Sequence, residues 1–532
     1  MSNEKFRSKS GFILASIGAA VGLGNALRFP GLCAKYGGGS FLFVYLIALI
    51  VLGVPVLNAE IALGRKLKSG APDCMQSLAA RPLLAKPAAA VGWASGFNSV
   101  ITAIIYAGLA GWIISAAFNI VPLAINAPSL NQTQISEHFF QNVLNARNDG
   151  VISGVSPLVL ACIAAAWVLM FFCLKGGAGS LAKAAKFTVI IPVTLLIIMA
   201  GRGLMYETSP QALAALFVPD LSRLSSPDLW ITALGQVFFS LSVAVGIMPV
   251  YGSYLPEKTN IFSCSLAIAA ADFLVSVLAS VVLFTTLYGC GLENSISPSG
   301  IITAFAVYPA AITRLFGNNP ALNSIAGVLF YSSLSMMAVQ SAVSMLEAFV
   351  SPYSARRGKN KKSLVIRICA IGGVISAVFA TTAAPIIVDI ADRFVNFYNV
   401  LVLAVAETFL IAFSRKIPDI SAEINKFAKN GSKLRLPQKA LAISVKHLCP
   451  AVLSALCAME IYRLATNGLS YPFWLLAPFG WGLSLLVIAS AIFLAFPRPR
   501  LQNSPKTSKK SQKYRKKLTN SQKKLQFFHK FS

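Results

Sequence analysis

The sequence predicts an all-α membrane protein with about twelve transmembrane helices. Three observations carry that prediction. Of the 532 residues, 56% are hydrophobic and only 12% charged, and the mean hydropathy is +0.69; a water-soluble chain of this size needs more polar surface. Apolar runs of roughly 20 residues, enough to cross a bilayer, start near Gly11, Phe41, Ala88, Ser153, Leu181, Leu229, Ile261, Leu322, Leu364, Ile386, Leu441 and Phe473. The loops between them alternate between basic and lysine-poor.

The first run contains its own interruption, Gly18 to Pro30, GAAVGLGNALRFP. Gly18, Gly22 and Gly24 weaken a helix and let a ligand approach the backbone closely. A helix broken at membrane depth is tolerated where it lines a cavity. Its freed carbonyls suit a cation and its freed amides an anion. Asn25 and Arg28 follow directly, polar and charged where such groups are functional candidates. A glycine-rich packing face is the plainer explanation, but it does not call for Asn and Arg beside it. No small-residue cleavage site precedes the glycines, so a cleavable signal peptide is not expected.

The loops carry most of the formal net charge of +28. Lys5, Arg7 and Lys9 precede the first run. Arg65, Lys66, Lys68, Arg81 and Lys86 follow the second, and further basic clusters lie at Lys175–Lys186, Arg356–Lys362 and Arg415–Lys439. The intervening loops, Pro122 to Ile152, Glu207 to Asp228 and Cys290 to Pro320, are poor in lysine. The positive-inside rule then puts both termini in the cytoplasm of a multi-pass plasma or inner membrane protein. It accounts for the charge without nucleic acid, which is not an expected partner. The tail after Pro497 is rich in Lys, Ser, Gln and Asn; it reads as solvated and disordered, with a composition suited to anionic lipid at the inner leaflet. The nine cysteines are dispersed and the three histidines do not cluster, so neither a disulfide framework nor a metal motif is indicated.

The sixth run, GQVFFSLSVAVGIMPVYGSY from Gly235 to Tyr254, is interrupted at Ser240, Ser242, Gly246, Pro249 and Gly252. Runs one and six each open a group of five. Paired breaks at matching places point to two inverted repeats with a binding site at the bilayer midplane. The expected organisation is a cytoplasmic N-terminus (1–10), a first five-helix repeat (11–206), an extracytoplasmic loop (207–228), a second repeat (229–414), two further helices behind a basic loop (415–497) and the basic tail (498–532).

At these stretches the chain resembles the neurotransmitter:sodium symporter family, and within it the bacterial amino-acid branch. The likeness rests on AAVGLGNALRFP (Ala19 to Pro30), KYGGGSF (Lys35 to Phe41), GVPVLNAEIALGR (Gly53 to Arg65), GQVFFSLS (Gly235 to Ser242) and YGSY (Tyr251 to Tyr254), in order and at fitting spacing. It implies a leucine-transporter-like fold with broken helices one and six, sodium as the transported ion and no organic cofactor. It implies a first sodium held by the Ala20 carbonyl, Asn25, Ser240 and Asp272. A second would be held by the carbonyls of Gly18, Val21 and Met337 and by the Ser341 hydroxyl, with Gln340 at a ligand position. Oxygen donors of this kind suit a hard cation. The solute carboxylate would meet the amides of Leu23 and Gly24 and the Tyr106 hydroxyl. Its ammonium would meet the carbonyls of Ala20, Phe239 and Ser240, near Ser242. Gly22, where amine carriers of the family have an acid, leaves room for that carboxylate. Thr102, Val245, Ser341 and Met345 would line the side-chain pocket, mostly apolar and uncharged. The resemblance also pairs Arg28 with Asp392 as an outer gate above a lid of Tyr106 and Phe239, and assigns Glu60 and Glu407 to supporting the broken sixth helix.

Each residue has a plainer explanation. Asp272 alone would be a neutral acid bonded to a neighbouring helix, Arg28 a snorkelling side chain, Asp392 a helix-end acid, Glu60 and Glu407 neutral or interfacial acids, and Tyr106 a packing aromatic. With the family's chloride neighbourhood falling on Tyr45, Gln236, Ser240 and Ser276, Asp272 is expected to supply the negative charge itself, so chloride is not expected to be needed. Gln340 replaces the family's usual Thr or Asp. The family's inner ion pair is lost, since Asn3 and Ala355 fall at its two positions, leaving Lys5, Arg7 or Tyr254 to contribute to closure.

The function expected is sodium-driven import of a neutral, mostly apolar amino acid by alternating access, with no enzymatic step. Two alternatives stand beside it: the same fold driven by protons through Asp272, and a non-concentrating amino-acid receptor or channel.

Overall fold

The computed structural model describes residues 4–147, 150–295, 297, 299–428 and 434–496. The lysine-rich tail and Asn3 lie outside the described residues. A bilayer core leaves no water for backbone groups, so spanning segments must satisfy themselves as helices. Among the described residues ten helices are long and apolar enough to cross, and the bent pair Lys9–Ala20 and Gly24–Lys35 makes an eleventh. Pro227–Ser240 and Ile247–Ser253 are each too short, but with the non-helical stretch 241–246 between them they form one more. In chain order the bent pair is the first span and this split pair the sixth. The second to fifth are Gly39–Leu67, Pro82–Ser129, Pro157–Leu174 and Gly177–Gly203. The seventh to twelfth are Ile261–Gly289, Pro320–Arg357, Lys361–Ala380, Ala384–Phe413, Gln438–Asn467 and Phe473–Ala495. Each starts close to an apolar run read from the sequence.

Local chemistry sets several starts. Asn260, Asn319 and Asn360 cap the seventh, eighth and ninth spans through their side-chain oxygens, worth about 1 kcal/mol each. The second and third spans lie inside, with 72% of their most apolar window buried, whereas the ninth and twelfth bury only 28% and 22%. Ile371, Val374 and Phe493 accordingly point outward, the lipid-facing surface of a bundle whose solvent is hydrocarbon.

Because lipid is as apolar as leucine, helices in a bilayer associate through close packing of small residues. A side chain on Gly64 would come within 2.0 Å of the Pro249 carbonyl oxygen, and one on Gly252 within 2.4 Å of the Ile61 carbonyl oxygen. These two glycines put the second span and the lower half of the sixth in backbone contact, which brings Glu60 to the sixth-span break.

Two lysine-poor segments expected as loops are partly helical. Residues 207–228 contain Ser209–Phe217. The segment 290–320 contains an apolar helical stretch, Gly300–Ile312, too short to cross. It packs inward instead: the Tyr308 hydroxyl donates to the Ala26 carbonyl at 3.2 Å, and the Tyr331 hydroxyl donates to the Ala304 carbonyl at 2.7 Å. The first span's break therefore has a protein cap on the side away from the basic loops.

Candidate ion- and solute-binding site

The glycines of the first span do what their spacing predicts. The helix Lys9–Ala20 ends at Val21, and the chain resumes through a π-helical turn, Gly24–Arg28, before Phe29–Lys35; the two halves differ in direction by 51°. The Gly22 amide donates to the Asn25 Oδ1 at 3.0 Å, so Asn25 closes the gap with its own side chain. A Cβ on Gly24 would meet the Phe239 ring at 2.7 Å, and one on Gly22 the Ser341 hydroxyl at 2.7 Å. The space beside Gly22 is thus bounded by the eighth span.

In the sixth span, Ser242, Ala244 and Gly246 have φ of +53°, +62° and +78°. For the two non-glycine residues the left-handed region costs about 1–2 kcal/mol each. Side chains from other spans offset that cost. Glu60 Oε1 accepts from the Ala244 amide at 2.6 Å, and the Ser99 hydroxyl donates to the Val245 carbonyl at 2.7 Å. The Ser242 hydroxyl donates to the Ala19 carbonyl at 2.9 Å, joining one break directly to the other. Glu407, also buried, lies beside Glu60.

Between the breaks sits a dry polar cluster. Asp272, with no solvent exposure, accepts on Oδ1 from the Ser240 hydroxyl (2.6 Å) and the Asn25 side-chain amide (2.7 Å), and on Oδ2 from the Tyr45 hydroxyl (2.9 Å). The Asn25 amide also lies 3.0 Å from the Ser240 hydroxyl and 2.8 Å from that of Ser276. The buried Gln236 carboxamide has no partner on either atom among the described residues. Carboxylate, carbonyl and hydroxyl oxygens are the donors a hard cation takes. Among the described residues no group of three or more His, Cys, Asp or Glu could hold a metal.

A cavity of about 580 Å³ opens above this cluster, lined near its floor by Leu23, Gly24, Tyr106, Gln236 and Phe239 and higher by Arg28 and Asp392. Its lining does not include Thr102, Val245, Ser341 or Met345. Arg28 and Asp392 both face the cavity, yet they form no ion pair within 4.0 Å among the described residues. The ion pair expected there is not formed among the described residues. The Arg28 guanidinium sits 6.0 Å from the Phe239 ring centre, and Asp392 accepts from the Asn396 amide at 2.7 Å. Asn396 in turn accepts from the Thr102 hydroxyl at 2.7 Å. This relay from Thr102 to Asp392 escaped the sequence reading, because Asn396 lies in a π-helical turn, Arg393–Asn399, that shifts the helix register by a residue.

The same chain matches the sodium:neurotransmitter symporter family over residues 3–128 and 115–498. It belongs to that family. A sodium-dependent transporter of Methanocaldococcus jannaschii is 30% identical over 480 residues, covering 88% of this chain and 92% of that protein. The sodium-dependent neutral amino acid transporter B(0)AT1 of Rattus norvegicus is 30% identical over 299 residues, 53% of this chain but only 46% of the relative. Among solved structures, MhsT in complex with L-phenylalanine aligns with a TM-score of 0.71 at 25% identity, over 85% of this chain and 98% of that one. The family's members are transporters, and so this symporter-family chain is a multi-pass membrane transporter rather than an enzyme.

Two parts of this family member depart from the expected arrangement. Gln340 turns its Oε1 to the fifth span, 3.2 Å from the Thr188 hydroxyl, which also lies 3.0 Å from the Ala184 carbonyl, while its Nε2 has no partner among the described residues. Its stem lies against Gly18, where a Cβ would meet Cγ at 2.8 Å. The Ser341 hydroxyl nearby is buried without a partner among the described residues, and Met337 is buried. On the basic side, Ala355 is exposed, and Lys5 pairs with Glu257 at the surface. Tyr254 is the expected contributor found inside: its hydroxyl donates to Glu347 at 2.5 Å and lies 2.7 Å from that of Ser351.

Proposed function

We propose that the chain is a sodium-coupled symporter that imports a neutral, largely apolar amino acid by alternating access, with both termini in the cytoplasm. The observation that carries this reading is the Asp272–Asn25–Ser240 cluster joining the two helix breaks beneath a cavity with Tyr106 and Phe239 near its floor. Sodium would bind at the Ala20 carbonyl, Asn25, Ser240 and Asp272, with the solute carboxylate completing its shell. That carboxylate would also take the Leu23 and Gly24 amides and the Tyr106 hydroxyl. The ammonium would take the carbonyls of Phe239 and Ser240, beside Ser242. Thr102, Val245, Ser341 and Met345 would surround the side chain after Tyr106 and Phe239 close over it and Arg28 reaches Asp392. Shared ligands make ion and solute favour one another, which is the physical meaning of coupling. The neutral-amino-acid relative and the L-phenylalanine complex support the substrate class.

The test is uptake into proteoliposomes with a panel of the standard amino acids, under an inward sodium gradient or equimolar potassium at fixed pH. Concentrative, sodium-dependent uptake of Leu-, Phe- or Val-like solutes is expected. Accumulation driven by a proton gradient without sodium, or selective uptake of Lys or Glu, would overturn the reading.

A further inference from the structure

The basic side of the molecule carries a partly buried charge cluster of Glu4, Glu347 and Lys361. Glu347 lies in the eighth span with no exposure, two turns beyond Gln340. Lys361, the first residue of the ninth span, reaches its Oε1 at 2.6 Å, and the same ammonium reaches Glu4 Oε2 at 2.8 Å. The Glu4 carboxylate is wedged against Gly177, where a Cβ would fall 2.6 Å from Oε2. Two residues on, the Phe6 amide donates to the Tyr254 carbonyl at 3.0 Å. The Phe6 ring, 2% exposed, packs edge-on against Phe12, Tyr251 and Tyr254. The Tyr251 hydroxyl donates to Ser344, and that of Tyr254 to Glu347.

The start of the chain is therefore strapped across the basic-side ends of the fifth, sixth, eighth and ninth spans. One ammonium joins the strap to a carboxylate inside the bundle. A buried charge that loses its partner is strongly destabilised, so Glu347 holds Lys361 in place, and Lys361 holds Glu4. The acid Glu4 is on the N-terminal strap and the base Lys361 on the bundle, a pairing away from Asn3 and Ala355, where the sequence reading found the inner ion pair lost. Tyr251, Ser344, Tyr254 and Glu347 lie on the lower half of the sixth span and on the eighth span, which also carry the candidate solute and ion residues. Opening towards the basic loops must part these contacts.

We infer that Lys361 is the positioning residue that keeps the basic-side path shut, by clasping Glu4 to Glu347 while the opposite cavity is open. This rests on the alternating-access reading for its role in transport. The clasp itself is tested independently of it. Hydrogen exchange of the full-length protein in nanodiscs, without solute, reads the opening of the strap. Lys361→Gln and Glu4→Gln should each speed exchange of the amides of residues 5–12 by tenfold or more, leaving the Gly39–Leu67 span unchanged. Lys361→Arg should retain wild-type protection. The double variant should exchange no faster than Lys361→Gln alone, because both remove one shared interaction. In uptake assays Lys361→Gln should raise the KM for external solute more than it lowers the maximal rate. Glu4 is partly exposed, so Glu4→Gln keeps the test open should Lys361→Gln fail to fold. Wild-type protection in Glu4→Gln, or Lys361→Arg exchanging as fast as Lys361→Gln, would overturn the inference. A wild type that concentrates no amino acid would sink the transport reading and leave the exchange result standing.

Discussion

At the scale of single residues, the proposed ion chemistry turns on Asp272. It is fully buried and takes three hydrogen bonds, and in the proposed sodium site it supplies as a carboxylate the negative charge that an asparagine there would lack. Asp272→Asn keeps the shape and removes the charge, so the apparent sodium affinity of uptake should fall by about tenfold, the equivalent of about 1.4 kcal/mol. Replacing chloride by gluconate should leave wild-type uptake unchanged, since the carboxylate already supplies the anion; a collapse of uptake would contradict that role. Asn25 and Asp272 could be singled out in the sequence because a polar side chain inside an apolar run is costly enough to need a reason. Asn396 could not, because its relevance comes only from what faces it.

At the scale of elements, the sixth-span break is held by its neighbours. Ala244 sits at φ +62°, a conformation that glycine adopts without strain. Ala244→Gly should therefore be neutral or stabilising, by up to about 1–2 kcal/mol, in thermal unfolding. Glu60→Ala strands the Ala244 amide in a dry interior and should destabilise by about 1–3 kcal/mol. If both variants unfold like wild type, the break is not maintained by this pair. The breaks themselves were readable from glycine and proline placement. The inward folding of Gly300–Ile312 was not: a lysine-poor, apolar stretch too short to span looks like any loop until Tyr308 is seen bonded to Ala26.

At the scale of the whole molecule, sodium should stabilise the fold by linkage, about 2.7 kcal/mol at a hundredfold excess over its dissociation constant. Thermal melts in sodium against equimolar potassium should separate accordingly. The sequence by itself determined the membrane class, the number and order of spans, the two breaks and most residues around them. Those depend on local composition: apolar length, glycine spacing, and polar residues where hydrocarbon forbids them. Tertiary structure alone decided which way Gln340 turns, that Arg28 and Asp392 stand apart, and that Glu4, Glu347 and Lys361 meet. Such pairings join residues on different helices, Glu4 and Lys361 being 357 positions apart, and no local pattern in a chain records which buried charge will answer another across a helix bundle.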